Sequence, residues 1–185
     1  MSKGKLFVIS GASGVGKSTI LKQVMAARED LTFSVSATTR APRPDEVDGV
    51  HYYFIDRCRF EDMICRGEFL EYDEHHEILY GTPAAQVLEK QEQGHVILDI
   101  EPNGAFNVRK SRPDATLIFI MPPSREELER RLRSRGDTDE KQIRIRLERA
   151  NWEMDQSVYY DYVVVNDQVE ACADRILKII AEKAD

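Results

Sequence analysis

The sequence predicts an α/β fold: a central parallel sheet flanked by helices, interrupted by a mixed α/β insertion and carrying a short helical lid. Three observations carry that reading. The apolar runs "KLFVIS", "HVILDI", "ATLIFIM" and "YDYVVVND" are each long enough for one strand buried on both faces. Stretches of helical period separate them, as crossovers between parallel strands require. Over residues 34–82 that alternation gives way to short strand-like pieces around one short helix, as an inserted subdomain would. The 185 residues suffice for one such domain. Its expected division is a core of 1–33 and 83–185, an insertion of 34–82 and a lid of about 125–150.

In chain order, "KLFVIS" reads as a strand stopped at Gly11. From Lys17, "KSTILKQVMAARED" sets Ile20, Leu21, Val24 and Met25 on one helical face. "LTFSVSATT" and "GVHYYFI" read as strands, and "DRCRFEDMICRG" as a helix capped by Asp56 and closed by Gly67. "EFLEYDEHHEILYG" reads as two strands about a polar turn. Thr82 before Pro83 signals the N-cap of a helix in "PAAQVLEKQEQG". The strands "HVILDI" and "ATLIFIM" follow, the second ended by Pro122 and Pro123. "SREELERRLRSRG" offers Ser124 as cap with Glu127 in the capping-box position, and "DTDEKQIRIRLERANWEMDQ" continues as a charged helix. "YDYVVVND" and "QVEACADRILKIIAEKA" supply the last strand and helix.

The net charge of −7 argues against a general nucleic-acid or membrane-surface role, so anionic partners need a local cluster of cations. No run approaches the ~20 apolar residues of a membrane span. "MSKGKLFVIS" has no secretion-signal pattern, and the location expected is cytoplasmic. Monomer and homo-oligomer both stay open. Cys58, Cys65 and Cys172 form no CxxC pair and read as small buried apolar residues, Cys58 and Cys65 on one helical face, with metal or redox roles as the alternative. His51, His75, His76 and His95 lack metal-ligand spacing, and Trp152, Tyr159 and Tyr160 read as packing residues.

"GASGVGKST" matches G-x-x-x-x-G-K-[ST] between a strand and a helix, the context that gives the motif weight and points to a P-loop NTPase fold. Gly11, Ala12, Ser13, Gly14, Val15 and Gly16 would turn their N–H groups toward phosphate oxygens at the positive end of a helix. Lys17 would reach the β and γ phosphates, Ser18 would hold Mg2+ through its hydroxyl, and Thr19 completes the cradle. Such a loop binds a nucleoside triphosphate in GTPases, ATP-driven machines and small-molecule kinases alike.

A kinase acting on a nucleotide must hold a second phosphate. Arg40 and Arg43, stiffened by Pro42 and Pro44, suit that task because guanidinium grips phosphate bidentately, and Tyr52 adds a hydroxyl. The alternative is a solvated turn balanced by Asp45, Glu46 and Asp48. "RRLRSRG" sets Arg131 and Arg135 four apart on one helical face, with Gly136 as a hinge-like break before Arg144 and Arg146. A surface laced with ion pairs is the alternative there, and the one expected for Arg130, Arg133 and Arg149. Asp99 and Glu101 end a buried strand where acids would lie at the sheet's carboxyl edge, Asp99 placed to hold a Mg2+-bound water.

"GASGVGKST", "SVSATTRAPRPDEVDGVHYYF", "EFLEY", "ILYGT", "MPPS", "RRLRSRG" and "VVVND" occur in the order and spacing of guanylate kinases, and the chain resembles that family over nearly its whole length. The resemblance implies an ATP:GMP phosphotransferase that makes GDP and ADP with Mg2+, in purine nucleotide metabolism and GMP recycling. By matched position, Ser36, Arg40, Arg43 and Tyr52 would bind GMP, Glu71 would recognise guanine, and Tyr80 and Thr82 would complete that site. Arg131, Arg135 and Arg146 would bring cations to the transferring phosphoryl group as the lid closes, while Asn166 and Asp167 would meet adenine. Glu101, on the GMP side, stands where the family usually has aspartate. Leu79 replaces the first tyrosine of its motif, Pro102 and Asn103 depart from the family pattern beside Glu101, and Ala12 and Asp45 are further departures that remove no catalytic group.

The chemistry agrees. A carboxylate at Glu71 would accept from guanine N1–H and the N2 amino group, while hydroxyls at Ser36 and Thr82 would donate to O6. Adenine would leave those groups unpaired at ~1–3 kcal/mol each. Three other readings stay open. A kinase of another phosphorylated acceptor would lack the Ser36, Glu71 and Thr82 set. A guanylate-kinase-like binding module would show a degraded phosphate loop. A GTPase switch would carry an N-K-x-D-type motif, which is absent.

Overall fold

The computed structural model describes residues 3–75, 77–134 and 139–184. The strands are β1 (Leu6–Gly11), β2 (Leu31–Phe33), β3 (Ala37–Thr38), β4 (Tyr53–Phe54), β5 (Phe69–His75), β6 (Ile78–Pro83), β7 (His95–Asp99), β8 (Thr116–Met121) and β9 (Tyr162–Val165). The helices are α1 (Lys17–Ala27), α2 (Arg57–Cys65), α3 (Ala84–Gln93), α4 (Pro102–Ser111), α5 (Arg125–Arg133), α6 (Glu140–Asp155) and α7 (Val169–Ala184), with a 3-10 turn at Gln156–Tyr159. One sheet has five strands in the order β2-β7-β1-β8-β9, and a second has four in the order β4-β3-β6-β5. The first is parallel in its β1–β8, β2–β7 and β8–β9 pairs, and the second is mixed.

The chain divides into two compact units. The first comprises Met1–Leu6 and Asp30–Ala115. Its mixed sheet is closed on one side by α2, where Phe60 joins Ala37 and Leu79 in a small core that Ile55, Ile64 and Phe69 extend. Asp56 caps α2 by accepting the Arg59 N–H at 2.8 Å, and Gly67, at φ 66°, ends it as a left-handed glycine does. Because Phe60 sets the inward face of α2, Cys58 and Cys65 are exposed rather than buried; Cys172 is buried as expected.

"LTFSVSATT" is not one strand. Ser34 N–H still donates to the Ile97 carbonyl at 3.0 Å, and the chain then leaves β7: the Gln86 side chain accepts from Val35 N–H at 2.7 Å and from the Ser34 hydroxyl at 3.2 Å. A side chain thus satisfies the backbone that a ladder would otherwise have held, and the chain resumes as β3 in the other sheet. "GVHYYFI" likewise contributes only Tyr53–Phe54. Thr82 is no helix cap: it lies within β6, and α3 starts after Pro83 without a side-chain cap. Helix α4 has no counterpart in the sequence reading. Its signal is Pro102 at the first helical position, with Pro102, Gly104, Ala105 and Val108 buried.

The second unit comprises Phe7–Glu29 and Thr116–Asp185. Leu6 through Ser10 and Thr116 through Ile120 are buried without interruption, as strands covered on both faces must be. The buried stripe of α7, Cys172, Ala173, Ile176 and Ile180, repeats at helical spacing. Ser124 caps α5 by accepting Glu127 N–H at 3.1 Å, but the Glu127 carboxylate turns to Arg130 and Arg131 instead of closing a capping box. Tyr160 packs on Phe119 with ring centroids 5.1 Å apart. Trp152 is exposed because α6 turns Ile143, Ala150, Glu153 and Met154 inward instead, and Tyr159, in the 3-10 turn, is exposed as well. Among the described residues no helix is long and apolar enough to cross a membrane.

Candidate active site

The second unit holds the phosphate loop between β1 and α1. Gly14 (φ 87°) and Gly16 (φ 93°) adopt the left-handed conformation that side chains disfavour, and a Cβ on Gly14 would stand 2.6 Å from Leu132 Cδ2. Gly16 precedes α1 with no side-chain hydrogen bond at the helix start, so no side chain competes there for an anion. Lys17 is half-buried, and Ser18 and Thr19 are exposed.

A cleft of about 260 Å3 lies beside the loop, lined by Gly14, Val15, Gly16, Thr19, Arg131, Asn166 and Asp167. Arg131 donates to Glu127 Oε1 at 2.8 Å and approaches the carbonyls of Val15 and Asn166 at 3.3 and 3.4 Å. Arg130 and Arg131, both donating to Glu127, hold its carboxyl down at about 2. The Asn166 side chain donates to the Val15 carbonyl at 2.7 Å, and its buried Oδ1 has no hydrogen-bond partner. A buried acceptor left over beside a cleft is a ready contact for an amino group. Asp167 is exposed and paired with Arg175. Arg133 pairs with Glu129 and Glu140, and Arg149 with Glu153, as expected of the structural arginines. Arg146 is half-buried on α6; Arg135 and Gly136 lie outside the described residues.

The first unit holds the other residues. Glu71 and Thr82 face each other across β5 and β6. A register shift between Phe69 and Glu71 places Glu71, rather than Leu70, opposite Thr82. The carboxylate is 7% exposed, and Thr82, fully buried, donates its hydroxyl to Glu71 Oε1 at 2.6 Å. Burial pushes the Glu71 carboxyl up to about 7, against the opposing pull of the Thr82 bond. On its other side lies α4: a Cβ on Gly104 would stand 2.7 Å from Glu71 Oε2.

Arg40 grips the Glu46 carboxylate bidentately, both bonds 2.6 Å. Its guanidinium carbon lies 5.1 Å from the Tyr52 ring centre and 5.6 Å from that of Phe54, and its bonds to Glu46 and Tyr80 raise its already high pKa. Arg43 donates its backbone N–H to the same carboxylate at 2.8 Å, and Glu46 is held down at about 2, chiefly by Arg40. The two arginine positions thus converge on an anion, supplied here by the protein. Ser36 is half-buried, its carbonyl accepting from Tyr53 N–H at 2.9 Å. Asp99, the last residue of β7, and Glu101, the residue before α4, are both exposed. Gly104 and Gln86 are residues that sequence reasoning passes over, since each acts through a partner distant in sequence, and Glu46 figures in it only as one of the acids balancing the loop. Among the described residues no three or more His, Cys, Asp or Glu side chains gather as a metal cage.

Residues 3–183 match the family model described as guanylate kinase. A guanylate kinase of Thermus thermophilus is 49% identical over 183 residues, covering 98% of this chain and 83% of the relative. One of Trichormus variabilis is 48% identical over 176 residues, covering 95% of this chain and 88% of the relative. The crystal structure of guanylate kinase from Anaplasma phagocytophilum matches with a TM-score of 0.79 at 34% identity, over 100% of this chain and 88% of that one.

Proposed function

The chain belongs to the guanylate kinase family, and on that premise we propose which of its residues carry the reaction. The enzyme transfers the γ-phosphoryl group of ATP to GMP, giving ADP and GDP. A phosphate oxygen of GMP attacks the γ phosphorus, a new O–P bond forms, and the bond to the β-phosphate oxygen breaks as ADP leaves. Such a transfer asks the protein for alignment and for charge at the right places, not for a covalent partner.

In our reading the backbone from Gly11 to Thr19 cradles the ATP phosphates, with Lys17 on the β and γ groups. The unpaired Asn166 Oδ1 would accept from the adenine amino group, with Asp167 beside it. Arg131, Arg135 and Arg146 would meet the charge that develops on the transferring phosphoryl group. Ser18 and Asp99 offer hard oxygen donors, the chemistry Mg2+ takes, directly from Ser18 and through water from Asp99. Mg2+ held by such donors would neutralise phosphate charge. On the acceptor side Arg40, Arg43, Tyr52 and Tyr80 would hold the GMP phosphate, which takes over from the Glu46 carboxylate. Glu101 would lie on the same side. Residues 34–82 would form the GMP-binding insertion and about 125–150 the lid. A cytoplasmic place in purine nucleotide metabolism and GMP recycling belongs to the same proposal.

The observation that carries the guanine reading is the buried Glu71–Thr82 pair. A carboxylate taken almost wholly out of water is costly, and it is worth keeping where a ligand brings two donors to it. With the Thr82 proton directed at Glu71, donation to O6 falls to Ser36. The test is the rate of ADP formation with GMP, IMP and AMP in wild type and Glu71→Gln. IMP keeps N1–H and O6 but lacks the N2 amino group. We expect the variant to lose about 10- to 100-fold in kcat/KM for GMP and much less for IMP, narrowing the preference between them. An unchanged GMP:IMP ratio would sink the assignment of Glu71.

A further inference from the structure

Glu153 is a buried carboxylate that the reaction as assigned does not use. It sits on α6 and is 3% exposed. Its Oε2 accepts the backbone N–H of Ser13, in the phosphate loop, at 2.6 Å, and its Oε1 faces Arg149 Nε at 3.3 Å, one helical turn earlier. A carboxylate buried this far is tolerated only when its oxygens are hydrogen-bonded and its charge is answered, and both conditions are met here. The bond to Ser13 spans 140 positions of sequence. It joins two pieces of the machinery: the loop proposed to cradle the ATP phosphates, and the helix that carries Arg146. Arg146 lies seven residues before Glu153, on the same face of α6 and about 10 Å away along its axis.

We infer that Glu153 is a positioning residue for phosphoryl transfer: by binding Ser13 it ties the phosphate loop to the base of α6. The contact shapes the loop that receives ATP and anchors the end of the helix from which Arg146 acts. Nothing else on α6 reaches a loop amide in this way among the bonds described. The inference rests on the phosphate-loop and Arg146 assignments above, and its test separates the two.

The measurement is steady-state kinetics below the melting temperature of each variant, with Glu153→Ala, Glu153→Gln, Arg146→Ala and the double variant Glu153→Ala/Arg146→Ala. Glu153→Ala should raise the KM for ATP and lower kcat, each by about tenfold, with the KM for GMP within twofold of wild type. Glu153→Gln still offers Ser13 an acceptor oxygen and should recover most of the loss. The double variant should be no slower than Arg146→Ala alone, since a helix without its arginine gains nothing from its anchor. Wild-type ATP kinetics in folded Glu153→Ala would overturn the inference, and so would kcat losses that multiply in full. A silent Arg146→Ala beside a raised KM for ATP in Glu153→Ala would support the loop tether and retire the Arg146 assignment. Should Glu153→Ala not fold, Glu153→Asp keeps the charge but withdraws it by one methylene, and it carries the same expectation for ATP.

Discussion

Glu71, the residue proposed to read guanine, shows what a buried carboxylate costs in stability. Its carboxyl is raised from 4.5 to about 7 by burial, partly offset by the Thr82 hydrogen bond. Between those two values the folded protein keeps a proton that the unfolded chain has released, so stability falls as pH rises through that window. The loss is of order 3 kcal/mol above pH 7 and is absent below pH 4.5. Glu71→Gln, neutral at every pH, should therefore melt several degrees above wild type at pH 8 and equally with it near pH 4. Calorimetry of the unliganded protein at the two pH values checks this, and a variant no more stable at pH 8 would mean the carboxylate is at ease where it sits. The charge was plain in the sequence. Its burial was not, because that depends on a fold-over of β5 and β6 and on α4.

At the scale of elements, what could be read and what could not divide along physical lines. Strands β1, β7, β8 and β9 and helices α1, α5, α6 and α7 were legible, because continuous apolar runs and helical stripes are local properties of the chain. Helix α4 was not, since its first turn, Pro102-Asn103-Gly104, is poor in helix formers and is held by burial against β5. Nor was the irregularity near Leu70, because nothing in "EFLEY" announces an extra residue. These two hidden features meet at Glu71, where α4 presents Gly104. A Cβ there would stand 2.7 Å from Oε2 and 3.3 Å from Cδ of Glu71, so the carboxylate must shift. Gly104→Ala should thus raise the KM for GMP by about tenfold while leaving that for ATP unchanged, with the fold kept by the better helix propensity of alanine. A loss shared equally between the two substrates would place the damage elsewhere.

The whole molecule carries a net charge of −7 and acts on two polyanions. On the proposed assignment it does so through small groups of cations rather than a basic face. The phosphate loop was legible because its geometry is written in consecutive glycines and one lysine. The arginine pair at 40 and 43 was legible as candidates, and the role of Glu46 was not, since an acid on an acid-rich loop looks like mere balance. Yet Glu46 sets an anion of the protein's own against Arg40, six residues away on one short loop. If the GMP phosphate binds Arg40 as proposed, this carboxylate stays tethered nearby at an effective concentration of order millimolar. It would then compete for Arg40 each time the phosphate loosens, so departure would become an exchange of one anion for another instead of the baring of that cation. Glu46→Gln should slow GMP dissociation several-fold in stopped-flow displacement, and an unaltered off-rate would deny Glu46 that part. On this account the loop that captures the acceptor also carries the means of letting it go, and turnover is protected from a grip that is too good.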